Sequence, residues 1–169
     1  MNAEELRSTQ APLKDRYRAE PDAALVTLRA SGELDSASIA CKVETGRTLA
    51  AAGLHPATGG SGMELCSGDM LLEALVDCAG VTLKAVATSI GVELRAGRVV
   101  AEGDLDFRGT LGVARDAPVG FKDIRLTFEL DAEALQPQLD MLLKLTERYC
   151  VVLQTLRRPP AIAAKLVRA

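Results

Sequence analysis

Residues 69–90, DMLLEALVDCAGVTLKAVATSI, carry the pattern that decides the fold. Leu71, Leu75, Cys78, Thr82 and Val86 recur at helical spacing, with Ala74, Val81 and Ala85 filling the flanks. Charge is confined to a thin stripe formed by Glu73, Asp77 and Lys84. A helix with so little polar face must be buried nearly all round, so it belongs at the centre of the molecule. Ser67 stands where an N-cap is expected, and Gly91 is a stop signal. A chain of 169 residues has few other elements to surround such a helix, which leads us to expect an obligate homodimer.

Outward from that helix, the chain alternates strands and helices. Residues 24–30 (ALVTLRA) and 38–44 (SIACKVE) read as two strands joined by a turn containing Gly32 and Asp35. In the second, Ile39, Cys41 and Val43 share a face while Lys42 and Glu44 take the other. The loop 54–62, LHPATGGSG, is no phosphate cradle, because no Gly-Lys-Ser/Thr follows its glycines. In 99–107, Val99, Ala101, Gly103, Leu105 and Phe107 oppose Glu102, Asp104 and Asp106. In 121–130, Ile124, Leu126, Phe128 and Leu130 oppose Asp123, Arg125 and Glu129. Both are half-buried strands of an antiparallel sheet, separated by a Gly/Pro loop at 109–120. A second helix starts near Asp131 or Gln136, accepts Pro137 in its first turn and ends at Cys150. Its inner stripe is Leu139, Leu142, Leu143, Thr146 and Tyr149. A Pro159-Pro160 break and a short apolar segment, AIAAKLV, follow. Residues 1–23 form a peripheral helical arm before a single α+β domain, 24–169.

Composition narrows the function. With 48% hydrophobic and 25% charged residues the chain is an ordinary globular domain. Twenty Lys and Arg against 23 Asp and Glu give a net charge of −3, which disfavours a nucleic-acid partner. The longest uncharged run, 48–63, is Gly- and Ala-rich and broken by Pro56, so it is a loop and not a membrane span. The opening residues, MNAEELRSTQ, carry no signal peptide, and a cytoplasmic protein is expected. Four cysteines (41, 66, 78 and 150) show no Cys-x-x-Cys spacing, and the lone His55 cannot complete a Cys/His zinc site. What remains is chemistry on one or two cysteines, or none, with no metal and no bound cofactor.

The run SGDMLLEALVDCAGVTL at 67–83 resembles the long central helix of the OsmC/Ohr superfamily, the osmotically inducible and organic hydroperoxide resistance proteins. The family pattern is roughly S/N-P-x-E-L-L-L-x-A-L-x-x-C. Leu71, Leu72, Ala74, Leu75 and Cys78 match it, and Asp69 replaces the usual acid by a shorter one. GVELRAGRVVAEGDLDFRG and GFKDIRLTFEL resemble the two strands that follow. RYCVVLQTL resembles the second cysteine motif, C-P-V-x-x-T-L, with Val151 where proline is usual. The four motifs stand in the family's order, within a resemblance covering residues 24–160. The resemblance implies two antiparallel sheets around two long central helices, in an intertwined homodimer. It also implies a thiol peroxidase for organic hydroperoxides, with Cys78 peroxidatic and Cys150 resolving, recycled by an external dithiol or lipoyl-type reductant.

Such a mechanism needs a thiolate, and an ordinary cysteine is only a few per cent ionised at neutral pH. Cys78 lies mid-helix, beyond the reach of its own helix's N-terminal dipole, so a neighbouring cation is expected. Arg29 is the candidate, with Lys42 and Arg47 in reserve. Asp69 either holds that arginine or is a first-turn acid favoured by the macrodipole; nine helical residues, about 13 Å, keep it from the sulfur itself. The organic-hydroperoxide branch usually has a glutamate where this chain has Gly68. Asp77 points along the polar stripe with Glu73, Cys41 packs in the core, and His55 is a surface loop residue. Cys66 is an alternative resolving thiol or a bystander. An apolar cleft walled by leucines and valines is expected for the substrate. Gly68 and Val151 favour a rival reading, a non-catalytic module of the same fold that binds a small molecule or a partner. A cysteine hydrolase is a weaker third.

Overall fold

The computed structural model describes residues 49–168 except Val113, with side chains from Ala51 onward; it also describes the backbone of 31–34 and 40–44, and residues 2–5, 7–8, 10–11, and 19. Strands β1 (Ser31–Leu34), β2 (Ala40–Glu44), β3 (Leu49–Gly53) and β4 (Leu65–Cys66) form one sheet in that order. Helix α1 (Ser67–Ile90) follows, then the long hairpin of β5 (Leu94–Leu105) and β6 (Phe121–Ala132). Helices α2 (Gln136–Tyr149) and α3 (Val151–Arg157) close the ordered sequence of elements. The architecture is α+β with two sheets, as the alternation of strand and helix patterns requires.

The first sheet departs from the expectation in three ways. Gly32 was expected in a turn but lies within β1, opposite Val43 of β2. The strand β3, LAAAG, lacks the alternation that marks a half-buried strand, and so it is invisible to a period-two reading. Finally, β3 and β4 run parallel, with Ala52 opposite Leu65, so the sheet is mixed and not purely antiparallel. The Gly-rich crossing between them returns the chain in the same direction. The segment 24–30, expected as a strand, lies outside the described residues.

The N-cap of helix α1 lies one residue before the expected one. Cys66, extended at φ −84° and ψ 130°, is the N-cap, Ser67 is already helical, and no side chain caps the end. Its C-terminus stops at Gly91, whose φ of +74° favours glycine, with the Val92 N–H reaching the Ala87 carbonyl at 2.9 Å. Leu75, Ala79, Leu83 and Ala87 form the buried ridge, one residue in every four. This ridge shares Leu75 with the expected line through Leu71, Leu75, Cys78, Thr82 and Val86 and departs from it at Ala79, Leu83 and Ala87, on the helix that β5, α2 and α3 pack against. Leu71 and Val81 are exposed in the single chain, so α1 is not enclosed all round by its own chain.

The β5–β6 hairpin supplies the other wall of the core. Val99, Ala101, Ile124, Leu126 and Phe128 pack on Leu75, Ala79 and Leu153, as their alternation predicts. Gly103 is required here, since a Cβ would sit 2.5 Å from the Phe121 ring. On α2, Leu142 and Thr146 are buried, whereas Leu143 and Tyr149, expected inside, are exposed. Tyr149 instead carries the Arg148 guanidinium 5.4 Å above its ring.

Candidate active site

The site forms where the second helix breaks. Cys150 is extended (φ −71°, ψ 108°), so it is both the C-cap of α2 and the N-cap of α3. Its N–H still reaches the Thr146 carbonyl at 2.9 Å, and its own carbonyl accepts the Gln154 N–H at 2.9 Å. Gln154 Nε2 also donates to the Glu147 carbonyl at 2.7 Å, clamping the two helices across the break. The expected end of the second helix at Cys150 is therefore a junction, with helix resuming at Val151.

Cys150 is completely buried in this junction, and Cys78 of α1 packs against it, partly exposed. Both thiols are free. The two sulfurs are pushed in opposite directions. Burial alone would raise the Cys78 pKa, but the Val152 N–H, the Cys150 thiol, the Val151 N–H and the Thr82 hydroxyl together bring it below the ordinary thiol value. Burial pushes the Cys150 thiol up, and the proximity of Cys78 raises it further, against the N–H groups of Leu153 and Val152. Cys78 is thus the more acidic thiol of the pair and Cys150 the less acidic.

The groups that lower Cys78 are neutral donors supplied largely by the first turn of α3. A mid-helix cysteine is beyond its own helix's N-terminal field, but the start of a different helix performs the same task. Thr82, on the expected apolar stripe, is a donor to the sulfur, and its position one turn after Cys78 is the signal that finds it. Val151 was read only as a missing proline, yet the substitution leaves an N–H that proline lacks.

Arg29 and Arg47 lie outside the described residues, as does the side chain of Lys42. Asp69 is exposed in the first turn of α1 and lines a shallow pocket with Leu72, Glu73, Val76, Asp77 and Ala101. That pocket does not include either cysteine of the pair, so Asp69 is not brought to the sulfur, and Asp77 shares the polar stripe of Glu73 as expected. Cys66 is twelve helical residues from Cys78, a rise of about 18 Å, which removes it as a resolving thiol within one chain. Cys41 pairs with Leu34 and Ala52 in the first sheet, its side chain being outside the described residues. His55 stacks on Phe107 at 4.8 Å, and its Nδ1 accepts the Ala57 N–H at 3.0 Å, so it caps a short 3-10 turn. The large apolar groove of the chain, about 790 Å³, has neither Cys78 nor Cys150 on its walls, so it is not the expected substrate cleft. Among the described residues no cluster of His, Cys, Asp and Glu is disposed to hold a metal ion.

Comparisons with known proteins agree with this architecture. The chain is similar in fold to an OsmC-like protein from Mycoplasma pneumoniae, with a TM-score of 0.65 at 14% identity over 79% of this chain and 89% of that one. It is also similar to an organic hydroperoxide resistance protein from Legionella pneumophila, with a TM-score of 0.61 at 17% identity over 80% and 92%. An organic hydroperoxide resistance protein of Bacillus subtilis gives 0.52 at 16% identity over 80% and 94%. No curated protein sequence matches the chain. The family model described as OsmC-like protein matches residues 59–165, from the loop before α1 to the segment beyond α3, and on that match the chain belongs to the OsmC-like family.

Proposed function

We propose that this protein is a thiol-dependent peroxidase for organic hydroperoxides, working through Cys78 and Cys150. The observation that carries the reading is the pairing of two free thiols with opposite pKa shifts, Cys78 lowered and Cys150 raised. The Cys78 thiolate attacks the terminal peroxide oxygen, the O–O bond breaks, and the alkoxide leaves to take a proton and become an alcohol. Cys78 is left as a sulfenic acid. The Cys150 thiol then condenses with it, expelling water and forming a Cys78–Cys150 disulfide. An external dithiol, of lipoyl or similar type, reduces that bond and is itself oxidised to a disulfide. No metal or cofactor enters the cycle.

The same reading includes an intertwined homodimer in the cytoplasm, acting without nucleic acid or membrane. Exposed Leu71 and Val81 on the central helix support the dimer, because a second chain would complete their burial. No helix among the described residues is long and apolar enough to cross a membrane. A non-catalytic binding module of the same fold is the alternative, and the separation of the large groove from the cysteine pair favours it.

Consumption of an organic hydroperoxide with excess dithiol tests the proposal. Wild type should turn over, Cys78→Ser should be inactive, and Cys150→Ser should complete one turnover and then over-oxidise to sulfinic acid. If none of the cysteines oxidises under a modest peroxide excess, the binding-module reading replaces this one.

A further inference from the structure

A continuous helix bonds each N–H to the carbonyl four residues back. Around the break this rule holds for Cys150, whose N–H reaches the Thr146 carbonyl, and again for Gln154, whose N–H reaches that of Cys150. Between them it is redirected. A continuous helix would place the Val151 N–H on the Glu147 carbonyl and the Val152 N–H on that of Arg148; here both are turned to the Cys78 sulfur. The carbonyl that Val151 gives up has a replacement donor, Gln154 Nε2 at 2.7 Å, reaching back from α3. The side-chain amide of Gln154 thus stands in for the backbone N–H of Val151. The Glu147 carboxylate and the Arg157 guanidinium satisfy one another at 2.8 Å and take no part in this exchange.

Nothing covalent holds the break open. Residues 146–155 contain neither proline nor glycine. The φ of Cys150, −71°, is already helical, and only its ψ of 108° departs from the helical value. Rotation about that one bond would return the Val151 N–H to Glu147 and carry it off the sulfur. A part-buried carbonyl without a donor favours that return, and the Gln154 amide removes the vacancy. A proline at position 151 would have no N–H to return, whereas Val151 has one.

We propose that Gln154 is a positioning residue for the attacking thiol: its amide occupies the Glu147 carbonyl, holds the helix broken at Cys150 and so keeps the Val151 and Val152 N–H groups on Cys78. The proposal rests on the reading of Cys78 as the attacking thiol and deepens it, since Gln154 acts on the sulfur only through the backbone it releases.

The test is the pH dependence of iodoacetamide alkylation at Cys78 in the full chain. Gln154→Met keeps the length of the side chain and removes its donor. The midpoint should rise, and alkylation at neutral pH should slow at least as far as the loss of one donor requires, about fivefold. An unmoved midpoint in the folded variant overturns the proposal. The second arm adds Gln154→Met to Val151→Pro. Proline fixes the break by itself, so the double variant should fold and match Val151→Pro alone. A further rise in the double variant means that Gln154 reaches the sulfur by another route, and overturns the proposal. Should Gln154→Met alone not fold, the second arm decides: a double variant that also fails to fold overturns the proposal, and one that matches Val151→Pro upholds it. Alkylation uses no peroxide, so these outcomes are independent of hydroperoxide consumption, which tests the peroxidase reading alone.

Discussion

Val151→Pro isolates one donor to the Cys78 sulfur with almost no other change. Proline suits the first position of a helix, where Val151 stands, because its fixed φ is helical and its missing N–H breaks no helical bond. The residue before a proline must be extended, and Cys150 already is, at φ −71° and ψ 108°. The Val151 side chain is 70% exposed, so little packing is lost. What disappears is one N–H directed at a thiolate. A hydrogen bond to a charged group contributes about 1.5 kcal/mol, and partial exposure of Cys78 makes about 1 kcal/mol the better expectation here. At about 1.4 kcal/mol per tenfold, losing that donor raises the Cys78 pKa and lowers its thiolate fraction near neutrality about fivefold. The assay is the pH dependence of iodoacetamide alkylation at Cys78, followed by peptide mass spectrometry. The midpoint should move up while the thermal unfolding midpoint stays the same or rises slightly, since proline also restricts the unfolded chain. An unmoved or lowered midpoint in a folded variant would refute the assignment of backbone donors as the activating groups.

Thr82→Val should move the same midpoint upward by a smaller amount, and Thr82→Ser should restore it, as read by the same alkylation profile. At neutral pH Cys78 should be alkylated faster than Cys150, which is fully buried and held protonated; equal rates would remove the distinction between attacking and resolving thiols. Gly103→Ala should destabilise the fold by about 1–3 kcal/mol in urea unfolding, because its Cβ meets the Phe121 ring at 2.5 Å. Asp106, hydrogen-bonded by Arg108, has its pKa lowered to about 2, so its contribution is present above the ordinary carboxylate pKa and lost as pH falls through about 2. NMR titration of the Asp106 carboxyl should find it still ionised at pH 3.

The readable parts of the sequence were those where one face is clearly wet and the other dry. The alternation in β5 and β6 gave their inward residues correctly except for Phe107, which starts a short helix, Phe107–Thr110, beyond the end of β5; Arg125, opposite Glu102 and ion-paired with Asp104, leaves no ambiguity about the outer face. Helix α1 was legible as a helix but not in its rotation. With leucine, valine, alanine and cysteine on most of its surface, periodicity cannot rank one apolar line over another, and the choice fell to alanines that admit close neighbours. LAAAG at β3 carried no alternation at all. The cysteine pair came from the resemblance, whereas the backbone donors to Cys78 were not legible, for a physical reason. Nothing in the sequence around Cys150 marks a break that starts a second helix, and Val151, where proline is usual, is no signal of a donor.

That break also bears on how the cycle would close. Whatever lowers the pKa of an attacking thiol stabilises the reduced state, because the donors that hold the thiolate have no charged acceptor once the sulfur is in a disulfide. The first-turn N–H groups of Val151 and Val152 lose that acceptor when Cys78 bonds to Cys150, while the raised pKa of Cys150 makes it the poorer leaving group of the two. An incoming dithiol should therefore attack the Cys150 sulfur and expel Cys78 as the better-stabilised thiolate, if the buried Cys150 becomes accessible on oxidation. Burial of Cys150 opposes that route and exposure of Cys78 favours the reverse one. The two demands are reconciled only if the short α3, clamped to α2 by Gln154 and by the 2.8 Å Arg157–Glu147 contact, loosens when its first-turn donors are left without the thiolate.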